Sequence, residues 1–555
     1  MMPCLQFRSL TMLLLFRSFI ILALSLLALL LLAQSPSAFG SPKLVLLVSV
    51  DQLSPGRLSV DMKGGLGRLM RQGRVYTDAR LDHGVTNTCP GHVVISTGVN
   101  PGKAGIPGNS YIDHVTGQQR YCVDDLDAAN RVFGTELNRS PNSMTATTLG
   151  DWLKANSPES RVFSVGGKDR SAITMAGKNA DGVYWYEMSV AKFTSSGYYG
   201  PLPEYVKAFS GNNFFVDGFA ARYPKTWEHK AGSLRVDDYA GESGEDLRHS
   251  GHPVNTGELG ERAARFYASP FLDLATTELA KRVVDEEKLG LQGVTDLLAI
   301  SYSALDVVGH RYGPYSGESE DTLARIDTTI GELLAFLDER LGEDYVVALS
   351  SDHGVLPLPE WLVETGEMHC PVDDGRISIE KAILQLYWRL YVDFTAPFGD
   401  PRDLVGFSAA GGTVSATYAQ QMGTTVEQVV DSMERYLEEQ AYIEAVWTPA
   451  ELEASNDPVS RLYRNSFVPG KSPHFFIQLS ETCLIYFAEG TSHGSVYDYD
   501  RRVPVIFYGV GVAPGVIVEA VHSIDIAPTL GKELGLDLPV NLDGRALDLG
   551  NVDGS

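Results

Sequence analysis

Basic residues are scarce in this 555-residue chain: 45 lysines and arginines stand against 70 aspartates and glutamates, for a formal charge of −25. That balance disfavours nucleic-acid binding through a basic surface. After residue 40 no apolar run approaches the roughly 20 residues of a membrane-spanning helix. A glycine-rich phosphate loop is absent, so a P-loop nucleotide cradle is not the source of any phosphate chemistry. No internal repeat or low-complexity tract interrupts the chain, which excludes a solenoid. Cysteine is rare, with 5 in all, too few for a dense disulfide scaffold.

What is present suits a large packed core: 44% of residues are hydrophobic and 21% charged. The length allows two to four average domains, and one large α/β core with inserted segments is the preferred reading. The first 40 residues stand apart. Arg8 and Arg17 precede Phe19 to Ala33, 15 residues broken only by Ser25, and QSPSAFGS follows with Ala38 and Gly40 in small-x-small order. This is the pattern of a secretory signal peptide at residues 1–40, with an uncleaved anchor as the competing reading. Cleavage removes two positive charges and takes the formal charge from −25 to −27. An anionic substrate would then need strong local positive charge, which bound cations can supply. The expected location is periplasmic or secreted, with no stable membrane span after cleavage.

Four cysteines remain: Cys89, Cys122, Cys370 and Cys483. In an exported chain they can form disulfides. Three pairings are open, and nearness in sequence favours Cys89 with Cys122 and Cys370 with Cys483.

Several β-branched or apolar runs end in polar, ligand-like residues. KLVLLVSVDQ ends near Asp51, RVFSVGGKDR at Lys168 and Arg170, DLLAISYSALD at Asp306, and YVVALSSDHG at Asp352 and His353. Helical patterns lie between them, at Leu272 to Glu287 and Glu320 to Glu339. The alternation predicts an α/β, doubly wound, mostly parallel sheet with helices on both faces, whose ligands gather beyond the strands' carboxyl ends. The pattern weakens at about 179–260 and again at about 356–466, read as insertions or cap segments within residues 41–555.

Asp306 and His310, four apart, share one face of a helical turn. With Asp51, Asp352, His353 and the glycine-flanked His493 they make six nitrogen and oxygen ligands without sulfur, enough for two zinc ions with open positions. A pair of ions about 4 Å apart can clamp both oxygens of an in-line phosphoryl displacement. In TNTCPGHVVIS, Pro90 suits a helix's first turn, which places Thr88 at its positive amino end as the candidate nucleophile. Cys89 is read as structural. His92 belongs to the same helix as a supporting residue, and His249 and His252 are read as lining the mouth of the site, without ligand roles.

At these residues the chain resembles the alkaline phosphatase superfamily, and within it the phosphate-irrepressible alkaline phosphatases with a threonine nucleophile, relatives of the nucleotide pyrophosphatases/phosphodiesterases. VSVDQ at Asp51, TCPGH at Thr88, GIPGNSY at Asn109, GGKDR at Lys168 and Arg170, SALDVVGH at Asp306 and His310, SSDHG at Asp352 and His353, and TSHG at His493 carry the likeness. The resemblance implies one zinc on Asp306, His310 and His493, a second on Asp51, Asp352, His353 and Thr88, and a phosphothreonine intermediate. It also makes Asn109, Lys168 and Arg170 the substrate-binding groups. Two cations on alternate residues suit the dianionic phosphoryl group of a small-molecule monoester rather than a diester. A phosphodiesterase on the same scaffold is the alternative. A sulfatase is disfavoured because Cys89 lacks the C/S-x-P-x-R context, and a non-catalytic relative would have lost a ligand or the nucleophile. Oligomeric state is left open.

Overall fold

The computed structural model describes residues 41–229, 239–243, 250–372, 374–394, 400–408 and 410–550. The signal reading of residues 1–40 and the histidine at 249 lie outside them. By contacts the chain divides into Met1–Ser41 and Pro42–Ser555, and the second unit holds everything below.

Nine strands form the central sheet: β1 (Leu44–Val50), β2 (Arg74–Arg80), β3 (Val162–Gly166), β4 (Gly182–Glu187), β5 (Lys192–Thr194), β6 (Asp296–Tyr302), β7 (Tyr345–Ser350), β8 (Val505–Gly509) and β9 (Gly515–His522). Their order is β9-β2-β8-β7-β1-β6-β3-β4-β5. The run β7-β1-β6-β3-β4 is parallel throughout, and β9 pairs parallel to β2. Only β8, against both its neighbours, and the edge strand β5 run antiparallel. The mostly parallel doubly wound sheet expected from the sequence is therefore the observed one.

Every residue of β1 is buried. Because successive side chains alternate, Leu44, Leu46, Val48 and Val50 enter the core on one face, while Val45 and Leu47 enter the core on the other. Each such leucine contributes on the order of 2 kcal/mol of apolar burial. Five helices frame the site: α1 (Thr88–Thr97), α2 (Asp169–Ala176), α3 (Phe271–Glu287), α4 (Ala304–Tyr312) and α5 (Gly317–Leu341). Residues of α3, α4 and α5 pack into the first core, and those of α1 and α2 into the second.

The weak pattern over 179–260 has a physical reason at its start: β4 and β5 are the last two strands of the main sheet, ending on an antiparallel edge. Short segments follow, including the two-residue pair Thr226–Trp227 and His252–Pro253. Within 356–466, Val405–Ser408, Gly411–Val414 and Ile443–Trp447 join Phe475–Leu479 in a separate four-stranded sheet with its own core around Leu390, Met433 and Phe475. Both disulfides, Cys89–Cys122 and Cys370–Cys483, are formed.

His83, in the loop after β2, is fully buried and neither ring nitrogen makes a hydrogen bond. Burial, helped by the charges of Arg501 and His353, pushes it down from 6.5 to about 3. The unfolded chain thus binds one proton more than the folded chain between those values. Stability from this group is full above the unfolded pKa and is lost as pH falls towards the folded one, with a slope of up to ~1.4 kcal/mol per pH unit. His83→Met is expected to flatten the acid side of the stability profile, read as urea midpoint against pH. An unchanged slope would remove His83 from the account.

Candidate active site

The carboxyl ends of four adjacent parallel strands, β7, β1, β6 and β3, deliver the chemistry to one place. Asp352 and His353 follow β7, Asp51 follows β1, Asp306 and His310 ride on α4 after β6, and Lys168 with Arg170 follow β3. The chain turns sharply after β1 through Gln52, whose φ of 66° is left-handed. In that conformation the Gln52 backbone N–H donates to Asp352 Oδ1 at 3.1 Å and its side chain donates to Asp306 Oδ1 at 2.9 Å. One residue thereby ties three strand ends together. Asp273 on α3 does the same for α4: its carboxylate accepts from the N–H groups of Ser303 and Ala304 at the helix start, although burial pushes that carboxyl up to about 8. Sequence reasoning missed both residues, because neither turn strain nor a tertiary cap has a local pattern.

Thr88 is the first residue of α1 and is buried. Asn109 Oδ1 accepts from the next backbone N–H, Cys89, at 2.8 Å, which orients the Asn109 amide with its NH2 as the remaining donor. The Cys89–Cys122 bond joins α1 to the hairpin of Ser110–Ile112 and Gln119–Tyr121. Gly91 lets the helix approach β7's end closely, since a Cβ there would lie 2.1 Å from the Asp352 carbonyl oxygen.

Four imidazoles share one design. Nδ1 of His92, His310, His353 and His493 donates to the carbonyl of Thr88, Thr491, Gly354 and Thr86 respectively, at 2.7 to 2.9 Å. Each bond fixes the tautomer and leaves Nε2 to the cluster. Nε2 of His310 and of His493 lie 3.4 and 3.7 Å from Asp306 Oδ1. His353 Nε2 is 3.1 Å from Asp352 Oδ2, and His92 Nε2 is 3.1 Å from Asp51 Oδ1. The ligand atoms of Asp306, His353 and His493 lie within 4.8 Å of one another, as do those of Asp51, His92 and Asp352. His353 therefore stands between the two groups, its ring stacked on His493 at 3.4 Å, and His92 reaches the second group directly.

The donor set fits divalent cations. Asp352 Oδ2 and His353 Nε2 are fully buried and make no hydrogen bond, an expense that coordination removes. Carboxylates and imidazoles without thiolates are ligands that several divalent metals accept, zinc among them.

Lys168 Nζ lies between the clusters, 3.0 Å from Asp51 Oδ2 and 2.5 Å from Asp306 Oδ2. Burial alone would lower its pKa, but Asp306 and Asp51 hold the ammonium above its usual range. Burial likewise opposes ionisation of Asp306, yet Lys168 and the surrounding imidazoles hold it well below the usual carboxylate range. His353 is pushed up to about 9: burial works against the proton, and Asp352 and Asp306 outweigh it. Arg170 places Nη2 3.3 Å from Thr88 Oγ1, and its Nη1 donates to Tyr121 Oη at 3.1 Å. Tyr121 in turn donates to Asp169, which Arg139 also holds. This chain aims the guanidinium, while Arg170 Nε is buried without a partner. Tyr121, Asp169 and Arg139 gave no signal in the sequence.

A threonine at a helix amino end beside buried Asp/His clusters, beyond the carboxyl ends of a parallel sheet, places the chain among relatives of the alkaline phosphatase superfamily. Comparison with known proteins gives the family. A model described as type I phosphodiesterase/nucleotide pyrophosphatase matches residues 45–457, and the chain belongs to that family. It is 30% identical over 543 residues to alkaline phosphatase PhoK of Sphingomonas sp, covering 92% of this chain and 91% of PhoK. The crystal structure of wild-type alkaline phosphatase PafA aligns with a TM-score of 0.79 at 25% identity, over 92% of this chain and 99% of PafA. Murine ectonucleotide pyrophosphatase/phosphodiesterase 5 shares the fold at a TM-score of 0.51 and 12% identity, over 90% of this chain and 97% of its own. The protein is a hydrolase of phosphate esters.

Proposed function

We propose that the protein is an exported, two-zinc alkaline phosphatase that hydrolyses small phosphate monoesters through a covalent phosphothreonine on Thr88. One observation carries this reading: Arg170 Nη2 lies 3.3 Å from the buried Thr88 Oγ1, and the buried Lys168 ammonium lies against Asp51 and Asp306 of the Asp/His clusters. Asp306, His310 and His493 would hold one ion, and Asp51, Asp352 and His353 the other, with Thr88 against the second. Bound there, the cations supply Lewis acidity that lowers the hydroxyl's pKa and offsets charge on phosphate oxygens.

The chain's own groups do the rest. The Asn109 NH2 and the Arg170 guanidinium take non-bridging oxygens and set the phosphorus in line with Thr88 Oγ1. The Oγ1–P bond forms as the ester O–P bond breaks and the alcohol leaves. Water then cleaves Oγ1–P, releasing orthophosphate and restoring the threonine. Lys168 adds positive charge at the same place. A terminal phosphoryl group bears one more negative charge than a diester and has no second substituent, so the buried Lys168 and the partly buried Arg170 favour it.

Export accords with the signal-like residues 1–40 and with two formed disulfides, which persist in oxidising compartments. Among the described residues no helix is long and apolar enough to cross a membrane. The test is the ratio of kcat/KM for p-nitrophenyl phosphate to that for bis-p-nitrophenyl phosphate, on zinc-loaded protein at mildly alkaline pH. The expected ratio strongly favours the monoester; a ratio favouring the diester would make the protein a phosphodiesterase.

A further inference from the structure

Away from the catalytic residues, three more metal-ligating side chains converge. His229 lies just beyond the short strand Thr226–Trp227, His252 opens its partner strand His252–Pro253, and Glu318 sits in the first turn of α5. Their ligand atoms all fall within 4.8 Å of one another. His252 Nε2 is 2.8 Å from Glu318 Oε1, and His229 Nε2 is 3.8 Å from the same oxygen.

Hydrogen bonding does not account for this arrangement. A proton shared between His252 and Glu318 satisfies Oε1 alone. Glu318 Oε2 and His229 Nε2 are both buried without any hydrogen-bond partner, and the Glu318 side chain is only 1% exposed. A buried carboxylate oxygen left unpaired carries its full desolvation cost, and a cation among the three groups removes it. Two imidazole nitrogens and one carboxylate oxygen form a borderline set that takes zinc with a fourth position open.

The surroundings hold the ligands in place. His252 Nδ1 faces the Tyr312 hydroxyl at 3.5 Å. The Trp227 ring packs against both imidazoles, at 5.3 and 5.6 Å between centroids, and its Nε1 donates to Asp321 on α5.

We propose that His229, His252 and Glu318 form a structural divalent-cation site of zinc type, separate from the catalytic cluster. It fastens the Thr226–Trp227 and His252–Pro253 pair to the start of α5. Tyr312, which touches His252, ends the same helix α4 that carries Asp306 and His310, so the ion also braces the helix beneath two catalytic ligands.

The test is anomalous diffraction at the zinc edge on the full mature chain crystallised with zinc. A peak enclosed by His229, His252 and Glu318 supports the site whether or not the catalytic residues are loaded. No peak there in zinc-grown crystals overturns it. In solution, His252→Ala is expected to lose about one zinc equivalent per chain after dialysis, read by mass spectrometry. If that variant fails to fold, His229→Gln, at the more accessible ring, gives the same reading. Unchanged zinc content in a folded variant overturns the proposal.

Discussion

Thr88→Ala is expected to lose turnover of p-nitrophenyl phosphate by at least ~10³-fold, the scale on which enzymes respond to loss of a covalent nucleophile. The same variant should take up no covalent phosphate when quenched in acid during turnover. The substitution removes a hydroxyl and a methyl group and little else. Helix α1 begins at Thr88 with Asn87 as its cap and ends on Gly98 in the left-handed conformation, which returns its N–H to Val94. Neither end uses the threonine side chain, and α1 is buried along its whole length. Thermal unfolding should therefore shift by no more than ~2 kcal/mol in equivalent stability. Thr88→Ser keeps the hydroxyl and should keep the covalent label, which separates loss of the nucleophile from loss of packing. Full turnover by Thr88→Ala would remove Thr88 from the mechanism.

Six of the residues legible in sequence share one physical trait: each lies just past the end of a buried parallel strand. A β-branched run such as VSV or VVALS advertises its own end, so Asp51, Asp306, Asp352, His353, Lys168 and Arg170 stand out as polar residues where the run stops. Thr88 was readable because Pro90 marks a helix start. What the sequence did not display depends on contacts between distant segments. Gln52 follows Asp51 in VSVDQ, but its left-handed backbone and its bonds to Asp352 and Asp306 exist only once three strands lie side by side. Tyr121 and Asp169 aim Arg170 from a hairpin and a helix start, and nothing in either local pattern distinguishes them from surface residues. The same holds for His229 and His252, which in sequence are isolated histidines in a weakly patterned stretch. Strand β5 was obscured because a three-residue edge strand lacks the unbroken apolar run of a central one.

Changing Lys168 and Arg170 together to alanine is expected to cost monoester hydrolysis ~10³-fold or more in kcat/KM, and diester hydrolysis far less, in line with the loss of charged donors aimed at a dianion. The two residues act differently, and single variants should show it. Arg170 touches Thr88 and is aimed by Tyr121, so Arg170→Lys keeps the charge but loses the planar fork, and most of its loss should remain. Lys168 lies between Asp51 and Asp306. Lys168→Ala leaves those buried carboxylates without the cation between them, so its cost should appear in stability as well as in rate, most of all in metal-free protein. Equal losses on monoester and diester would reduce the pair to a device that holds the site's carboxylates together. Substrate choice would then have to rest on the shape of the site around Asn109 and Thr88 rather than on its charge.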